Sequence, residues 1–524
     1  MASPTDFSSS HILFSAAPAW GHVRPFCVLA ARLVKENNTV VTTLLLSPNL
    51  LKNAKAEIDS EFRGQETQSS RQRVRVLSAY ASDAEDPFSL IAPLIQTYPA
   101  VYQSLVESKS VSCSVTGTVF NPVSPPNAVV LDFFCHPQML ATRAITGNSV
   151  PIISWFTGHV ATGIRFWGPK TLGGYGDIEK QVDEEAARTG RSPKEISDEL
   201  YNFPKRANGE IVRVPGVPEM YDWEYFPQNL PFEMPFGEFM KIAVNGLREA
   251  DACFVTSSYL FEADSINALK TYFSELKQDV FVIGPLLPSG YGIVSESARG
   301  SRETQEFLDK TQLRFGERSV TLISFGTVFW PTVQGYIEEV IEAFIEKNAP
   351  FILCYASPFA NISENLKQRI ARCGLGLISK WLPQQYILNH PATGWFMTHG
   401  GHNSVLESLG SGIPMICWPF EADQPAGAAH MSINLKVAFE LIEVRTGPNG
   451  MKPLLRSGHK ASGTREAVGV EIRRVIDLCR GDQGKELRQN AMELKTELSK
   501  SWDENGISKK EMKRFAETYN LHLF

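Results

Sequence analysis

The stretch that decides the fold runs from Trp381 to Gln424 and reads WLPQQYILNHPATGWFMTHGGHNSVLESLGSGIPMICWPFEADQ. Its centre is a short apolar run, Gly394–Thr398, which is followed by a glycine-rich turn at His399–His402. A helix-like segment begins at Asn403, and a second apolar run follows at Pro414–Trp418. Strand-length apolar runs that alternate with helices are typical of a parallel sheet covered on both faces. The stretch therefore predicts one βαβ unit of a doubly wound α/β domain.

The same alternation extends over both halves of the 524-residue chain, which is too long for one ordinary core. The candidate strands of the first half are His11–Ala17, Thr39–Leu46, Val74–Tyr80, Ala128–Phe134, Pro151–Phe156, Ala252–Ser257 and Val280–Ile283. Those of the second half are Ser319–Phe325, Pro350–Tyr355, Gly376–Ser379, Gly394–Thr398, Pro414–Trp418 and Val437–Val444. We expect an α/β protein of two doubly wound, Rossmann-like domains that face each other across a ligand-binding cleft.

Breaks in this rhythm predict the domain boundaries. Residues 1–285 form the first domain, with an insertion at about 168–236, where an acidic helical segment precedes a loop rich in Pro and aromatic residues. Residues 286–302 are rich in Gly and Ser and are interpreted as a linker. Residues 303–500 form the second domain, and residues 501–524 form a helical C-terminus.

Composition excludes several functional classes. The net charge of -6 argues against a nucleic-acid partner, which needs a basic surface to neutralise phosphates. No run approaches the ~20 apolar residues of a membrane span, and the polar N-terminus lacks the features of a signal peptide. Neither a G-x-G-x-x-G motif after a strand, nor a P-loop, nor a metal-ligand cluster occurs. We expect a cytoplasmic monomer with reduced cysteines, without a membrane span, metal ion or bound cofactor.

The glycine-rich turn and the helix after it suit a diphosphate. Glycine lets the backbone approach a ligand closely, and the first turn of a helix offers N–H groups and the positive end of its dipole to an anion. Asn403 and Ser404 add side-chain donors at that point. A single nucleotide can be held in this way without a strongly basic protein.

The residue types of this stretch and their spacing resemble the signature box of the family-one UDP-glycosyltransferases, in its plant secondary-product form. The positions that carry the resemblance are Trp381, Pro383, Gln384, His399, Gly401, Asn403, Ser404, Glu407, Pro419, Asp423 and Gln424. The sequence departs from the plant box at His402, where the box has Trp. The resemblance implies a GT-B fold, with the acceptor bound mainly by residues 1–285, the donor by about 300–500, and the last helix (about 503–520) returning to the first domain.

The resemblance also implies a role for each position. The implied UDP-binding residues are Thr327, Trp381, Leu382, Gln384, His399, Gly401, Asn403, Ser404 and Glu407. The indole of Trp381 is implied to stack on uracil, Gln384 and Glu407 to bind the ribose, and His399, Asn403 and Ser404 to hold the α-phosphate. The implied sugar-binding residues are His402, Asp423 and Gln424.

Taken singly, each of these residues has a plainer interpretation. Ser404-x-x-Glu407 is a formal capping box, Trp381 alone is more often a packing residue, and Asp423 alone suits a helix N-cap. The joint register of the whole set favours the family interpretation over these.

A second motif follows the first strand. Pro18, Gly21, His22 and Pro25 resemble the P-x-x-G-H-x-x-P of the same family, although a lone His after a strand is more often structural. A helix N-terminus disfavours the imidazolium, so we expect a neutral His22 that acts as general base. Such a base needs an orienting acid.

The candidate for that acid is Asp132, at the end of the strand AVVLD and in a place similar to that of the family's partner Asp. Asp83 and Asp86 are weaker rivals. A third motif, Ser324-Phe325-Gly326-Thr327, ends the first strand of the second domain and resembles the family's S-F-G-[ST], whose hydroxyl reaches the β-phosphate.

The expected function is thus an inverting, metal-independent transfer of a sugar, with glucose expected, from a UDP-sugar to a hydroxyl of a small apolar molecule. This is a hexosyltransferase reaction that uses UDP-sugar as a co-substrate and needs no cofactor. Two alternatives stay open: a non-catalytic UDP-sugar-binding protein, and a transferase of xylose, N-acetylglucosamine or glucuronate. Aromatic residues after the fourth and fifth strands and in the insertion are candidates to line the acceptor cleft, but the sequence assigns none of them individually.

Overall fold

The structure is a computed structural model that describes residues 10–62, 68–84, 86–231, 236–288 and 302–524. Most of the expected linker, residues 289–301, lies outside the described residues. The remaining chain forms two large parallel sheets, each covered by helices, as the alternation of apolar runs and helical segments predicts.

The first sheet contains seven parallel strands in the spatial order β7-β6-β5-β4-β1-β2-β3. Its strands are β1 His11–Ser15, β2 Val41–Leu45, β3 Val74–Leu77, β4 Ala128–Asp132, β5 Ile152–Phe156, β6 Ala252–Val255 and β7 Asp279–Val282. Almost every residue of these strands is buried, because helices cover both faces of the sheet. The strands β1 and β4 are neighbours, so the residues that follow them meet at one edge of the sheet.

The second sheet contains six parallel strands in the order β10-β9-β8-β11-β12-β13. Its strands are β8 Val320–Ser324, β9 Phe351–Cys354, β10 Gly376–Ser379, β11 Thr393–Thr398, β12 Met415–Cys417 and β13 Ala438–Glu440. Strand order reverses between β8 and β11, and ligands bind at such a switch point in open α/β sheets. All strands expected from the sequence occur in the two sheets, and the last is shorter than the expected Val437–Val444.

The helices alternate with these strands. In the first half they are Trp20–Glu36, Leu51–Glu61, Gln68–Gln72, Ile91–Val106, His136–Thr146, Val160–Trp167, Ile178–Thr189, Pro193–Leu200, Phe203–Arg206, Phe236–Arg248 and Tyr259–Glu275. In the second half they are Arg302–Phe315, Gln334–Glu346, Glu364–Cys373, Gln384–Asn389, His402–Ser411, Gln424–Ala429, Gly447–Gly450, Arg465–Arg480, Asp482–Leu498 and Ile507–Thr518.

The C-terminal helix Ile507–Thr518 packs on the first sheet. Met512 and Phe515 are fully buried in the core cluster that contains β1 and β4. The ring of Phe515 lies 4.6 Å from that of Phe254 in β6. The end of the chain therefore contributes to the core of the first sheet although it follows the second sheet in sequence.

The segment that breaks the βα rhythm in the first half joins the two halves. It contains three helices between residues 178 and 206 and a short antiparallel pair, Ile211–Val212 with Met220–Tyr221. The fully buried carboxylate of Glu224 accepts a hydrogen bond from the backbone N–H of Leu455 at 2.8 Å and pairs with Arg456 at 3.3 Å. These contacts fix the segment against the second half of the chain.

Two observations concern membrane spans and cysteines. Among the residues that the structure describes, no helix combines the length and apolar character needed to cross a membrane. All eight cysteines, each within the described ranges, are unpaired.

Candidate active site

His22 lies in the first turn of the helix Trp20–Glu36, directly after β1. Its Nδ1 is 2.5 Å from Oδ2 of Asp132, the last residue of β4. The Asp132 side chain is fully buried, and its other oxygen accepts a hydrogen bond from the backbone N–H of Phe134 at 3.0 Å. The adjacent strands β1 and β4 thus bring the two residues together, and both oxygens of the carboxylate are fixed.

The pKa of His22 is shifted in the direction opposite to the one expected from the helix N-terminus alone. Burial lowers the pKa of His22, but the carboxylate of Asp132 outweighs burial, and the net pKa is raised above its ordinary value of 6.5. The expectation of a neutral imidazole considered only the helix N-terminus. A carboxylate within hydrogen-bonding distance is a stronger influence than the partial charge of the helix end.

Among the described residues, neither of the two rival carboxylates forms a hydrogen bond or an ion pair with His22. Asp86 is exposed and accepts hydrogen bonds from the backbone N–H groups of Phe88 and Ser89, at 3.3 Å and 2.9 Å. It therefore stabilises a local turn. Asp83 is also exposed.

The turn after β11 leads into the helix His402–Ser411, one residue earlier than expected, because Gly401 is its N-cap. Ser404 is therefore the third residue of the helix, and the capping-box interpretation of Ser404 and Glu407 is wrong. Instead, Gln384 donates a hydrogen bond to Glu407, and Arg24 from the first half pairs with the same carboxylate. The structure brings Gln384 and Glu407 together, while the contribution of Arg24 was missed.

The turn at the end of β8 packs against His399. Gly326 has φ = 75°, and a Cβ at this position would lie 3.1 Å from the imidazole of His399, so a larger residue would be both strained and crowded. Burial lowers the pKa of His399 to about 4, which leaves the ring neutral near neutral pH. Thr327 follows Gly326 and is exposed. A hydroxyl and a neutral imidazole are thus available at this end of the second sheet.

Trp381 and Leu382 have different surroundings. The Trp381 side chain is 56% exposed, which is unusual for a large apolar residue, whereas Leu382 is buried in the core of the second sheet. An exposed indole offers a face on which a planar base can stack.

Asp423 is the residue before the helix Gln424–Ala429, which follows β12, and Gln424 is the first residue of that helix. Oδ2 of Asp423 accepts hydrogen bonds from the backbone N–H groups of His402 at 3.1 Å and of His159 at 3.4 Å. Asp423 occupies an N-cap position, but its side chain does not cap that helix. The amide oxygen of Gln424 accepts from the backbone N–H of Phe420 at 2.9 Å, which leaves its NH₂ group as the donor for a ligand.

The two halves of the site are joined directly. Nδ2 of Asn403 donates a hydrogen bond to the carbonyl of Gly21 at 2.7 Å. This carbonyl lacks its helical partner because the residue four positions later in the same helix is Pro25, which has no N–H to donate. The N-terminus of the second-sheet helix is therefore fixed one residue away from His22, a contact that the sequence analysis did not anticipate.

Aromatic rings form one wall beside His22. The ring centroids of Phe133 and Phe134 each lie 5.8 Å from that of His22, and Phe239 stacks on Phe134 at 4.0 Å. In contrast, the Tyr225 and Phe226 side chains of the insertion are buried in the core. The space beside His22 is thus apolar, as a hydroxyl-bearing apolar molecule would require.

One buried polar cluster was missed altogether. His159, Glu262 and His402 come from three separate segments, and one potential ligand atom from each lies within 4.8 Å of the others. Within the described ranges, this is the one group of His, Cys and acidic residues with such spacing. The cluster lies beside Asp423, which accepts hydrogen bonds from the backbone N–H groups of both His159 and His402.

Comparison with known proteins agrees with this geometry. Residues 286–447 match the UDP-glucoronosyl and UDP-glucosyl transferase family. A UDP-glycosyltransferase of Hericium erinaceus, eriJ, is 28% identical over 515 residues, which cover 95% of this chain and 96% of the relative. That similarity spans both sheets rather than the matched segment alone.

Two solved structures show the same fold. A UGT transferase from Siraitia grosvenorii in complex with UDP superimposes with a TM-score of 0.66 at 20% identity, covering 98% of this chain and 100% of that one. UGT2 of Phytolacca americana, complexed with UDP-2fluoro-glucose and pterostilbene, gives a TM-score of 0.65 at 20% identity with the same coverage. The fold of two facing Rossmann-like domains is therefore that of the GT-B glycosyltransferases.

Proposed function

We propose that this chain is a UDP-glycosyltransferase of family one that transfers glucose from UDP-glucose to a hydroxyl of a small apolar acceptor. The acceptor class is a phenolic, terpenoid, sterol or lipid-like molecule. The observation that carries the proposal is the pairing of His22 with buried Asp132, one residue from the contact between Gly21 and Asn403. A base in the first domain thereby lies beside the helix that receives the nucleotide.

The reaction is a single displacement. Because Asp132 occupies Nδ1 of His22, the other ring nitrogen, Nε2, takes the proton of the acceptor hydroxyl. The acceptor oxygen attacks the anomeric carbon, the bond to the UDP oxygen breaks, and the configuration inverts from α to β. Asp132 offsets the charge that His22 gains, as in other His–Asp pairs.

The leaving UDP is stabilised by the second sheet without a metal ion. The N–H groups at the start of the helix His402–Ser411 and the neutral ring of His399 face the developing charge. Trp381 stacks on the uracil, and Gln384 and Glu407 bind the ribose hydroxyls. Arg24 must release its contact with Glu407 before that carboxylate can bind the ribose. No cofactor takes part.

Asp423 and Gln424 recognise the donor sugar by hydrogen bonds to its hydroxyls. The side-chain oxygens of Asp423 accept from one hydroxyl, and the NH₂ group of Gln424 donates to the next, so that two adjacent equatorial hydroxyls fit. A sugar with an inverted hydroxyl leaves these groups without their hydrogen-bond partner, which is strongly unfavourable. Glucose is therefore the proposed donor sugar, and His402 is the position from which another preference would arise.

A screen for products tests the proposal. The protein is incubated with a panel of phenolic, terpenoid and sterol alcohols and with UDP-glucose, UDP-xylose, UDP-N-acetylglucosamine or UDP-glucuronate, and products are detected by mass spectrometry. We expect glycosides with UDP-glucose. Binding of the donor without any product across the panel would favour a non-catalytic binding protein, and a clear preference for another sugar would overturn the donor assignment alone.

A further inference from the structure

The buried cluster beside Asp423 connects the two domains through one imidazole. His159 follows β5 as the N-cap of the helix Val160–Trp167, and it is 1% exposed. Its Nε2 lies 3.2 Å from the carbonyl oxygen of Gly400, in the turn that leads to the donor-binding helix. Its backbone N–H donates to Asp423, as described above. A residue of the first domain therefore contacts both the turn and the carboxylate that reads the sugar.

The ring of His159 fits into a space that the second domain leaves open. A Cβ on Gly427 would lie 2.7 Å from the imidazole, so that any larger residue at this position would collide with the ring. The centroid of His402 lies 5.1 Å from that of His159, with the two rings perpendicular. The imidazole of His159 is thus closely packed between Gly427 and His402 of the second domain.

The charge at this point is defined by Glu262 of the first domain. Nδ1 of His159 is 3.8 Å from Oε2 of Glu262, whose buried carboxylate also accepts hydrogen bonds from Ser257 and from the backbone N–H of Ala161. Burial alone lowers the pKa of His159, but Glu262 and Asp423 outweigh it and raise the pKa to about 9. Although burial raises the pKa of Glu262, His159 outweighs it and lowers this pKa to about 2.

These pKa shifts make His159 the one cation of the cluster near neutral pH. Burial and the charge of His159 lower the pKa of His402 to about 3, so His402 stays neutral. The titratable groups that face His159 from the surrounding elements are Glu262, Asp423, His399, His402 and His430. With both ring nitrogens protonated, His159 donates to Gly400 on one side and points toward Glu262 on the other.

We propose that His159 is a positioning residue for the donor sugar, one that fixes Asp423 and the Gly400 turn against the first domain. Because it rests on the proposed function, this inference takes Asp423 as the residue that reads the sugar. Asp423 accepts one backbone N–H hydrogen bond from each domain. Its position therefore depends on the contact between the domains that His159 makes with the Gly400 turn. The nucleotide end of the site, at Trp381 and Gln384, lies outside these contacts.

The test compares binding of UDP with binding of intact UDP-glucose, both measured by calorimetry without acceptor. In His159→Gln we expect unchanged affinity for UDP but a loss of about tenfold in affinity for UDP-glucose, as expected for a weakened charge-assisted hydrogen bond. The wild-type affinity for UDP-glucose falls as pH rises through about 9, where His159 loses its proton, and this dependence is absent in the variant.

Two further variants separate positioning from folding. His159→Gln/Glu262→Gln removes both buried charges, and we expect it to stay folded and to lose the same pH dependence. His430→Gln is the matched control, because His430 is also buried and its Nε2–H donates to the carbonyl of Phe261 in the other domain. We expect this control to lower the melting temperature, while the ratio of its affinities for UDP and UDP-glucose stays that of the wild type.

The outcomes distinguish this inference from the proposed function. Equal losses for UDP and UDP-glucose, or no loss for either, would overturn the positioning role even if transfer is observed. Elemental analysis that finds one divalent ion per chain, retained after treatment with a chelator, would also overturn the positioning role, because the cluster would then be a metal site. Absence of transfer with every donor would instead overturn the proposed function, while the two binding curves would still measure the effect of His159.

Discussion

Replacing Asp132 by Asn removes the charge that faces His22 while preserving the size of the side chain. The Asp132 side chain is fully buried and lies 2.5 Å from Nδ1 of His22, so solvent cannot replace the lost carboxylate. The amide can still accept one hydrogen bond, but it no longer stabilises the imidazolium. The substitution therefore tests the electrostatic role of the pair more directly than a truncation would.

The expected size of the effect follows from that contact. A hydrogen bond to a charged group contributes about 1.5–3 kcal/mol, which corresponds to a loss of roughly 10- to 150-fold in kcat/KM at about 1.36 kcal/mol for each factor of ten. The pH dependence changes as well. His22 must be neutral to accept a proton, so wild-type kcat/KM falls as pH drops through a pKa above 6.5. Without Asp132 burial dominates, and this acid limb moves to lower pH.

The assay is the pH profile of kcat/KM for UDP release with one accepted acceptor. Asp86→Asn is the matched control, because Asp86 is exposed and accepts only local backbone hydrogen bonds. We expect it to behave as wild type. Full activity of Asp132→Asn with an unchanged acid limb would show that Asp132 does not set the basicity of His22, and the proposed base pair would be refuted.

Four further predictions concern the donor side. Trp381→Ala should weaken UDP binding by about 5- to 150-fold, since stacking of a base on an aromatic ring contributes about 1–3 kcal/mol; unchanged affinity in calorimetry would remove Trp381 from the uracil site. Gln424→Ala should lower turnover with UDP-glucose more than it weakens UDP binding, and wild type should prefer UDP-glucose to UDP-galactose and UDP-glucuronate in side-by-side kinetics. EDTA should leave the transfer rate unchanged, because the leaving group is stabilised by helix N–H groups; strict dependence on added Mg²⁺ or Mn²⁺ would contradict this.

The sheets could be predicted because each strand is an apolar run of the right length. Burial of both faces of a parallel sheet imposes such runs directly on the sequence. The prediction failed locally at the last strand, where Ala438–Glu440 is shorter than the apolar run that contains it. Leu441 and Val444 are buried in the core beyond the end of the strand, and burial alone does not distinguish a strand from a packed loop.

The candidate site was predictable where its residues are close in sequence and less so where they meet across the domains. The turn at His399 and the helix after it form one continuous segment, and β1 and β4 are adjacent in a predictable topology. The contact between Asn403 and Gly21 joins residues 382 positions apart, although Pro25 inside a helix was a signal that the Gly21 carbonyl lacks its usual partner. His159 and Glu262 had no such signal, because isolated His and Glu residues are common and their pairing depends on how the domains pack.

The central claim is that His22 is the base of a sugar transfer whose nucleotide site lies in the other domain. The measurement that tests it most directly is the transfer rate of His22→Ala at saturating UDP-glucose, with an unactivated alcohol as acceptor. We expect a loss of about 10²- to 10⁴-fold, the usual contribution of a general base, while UDP affinity stays near that of wild type. A variant that keeps near-wild-type turnover on that alcohol would contradict the account.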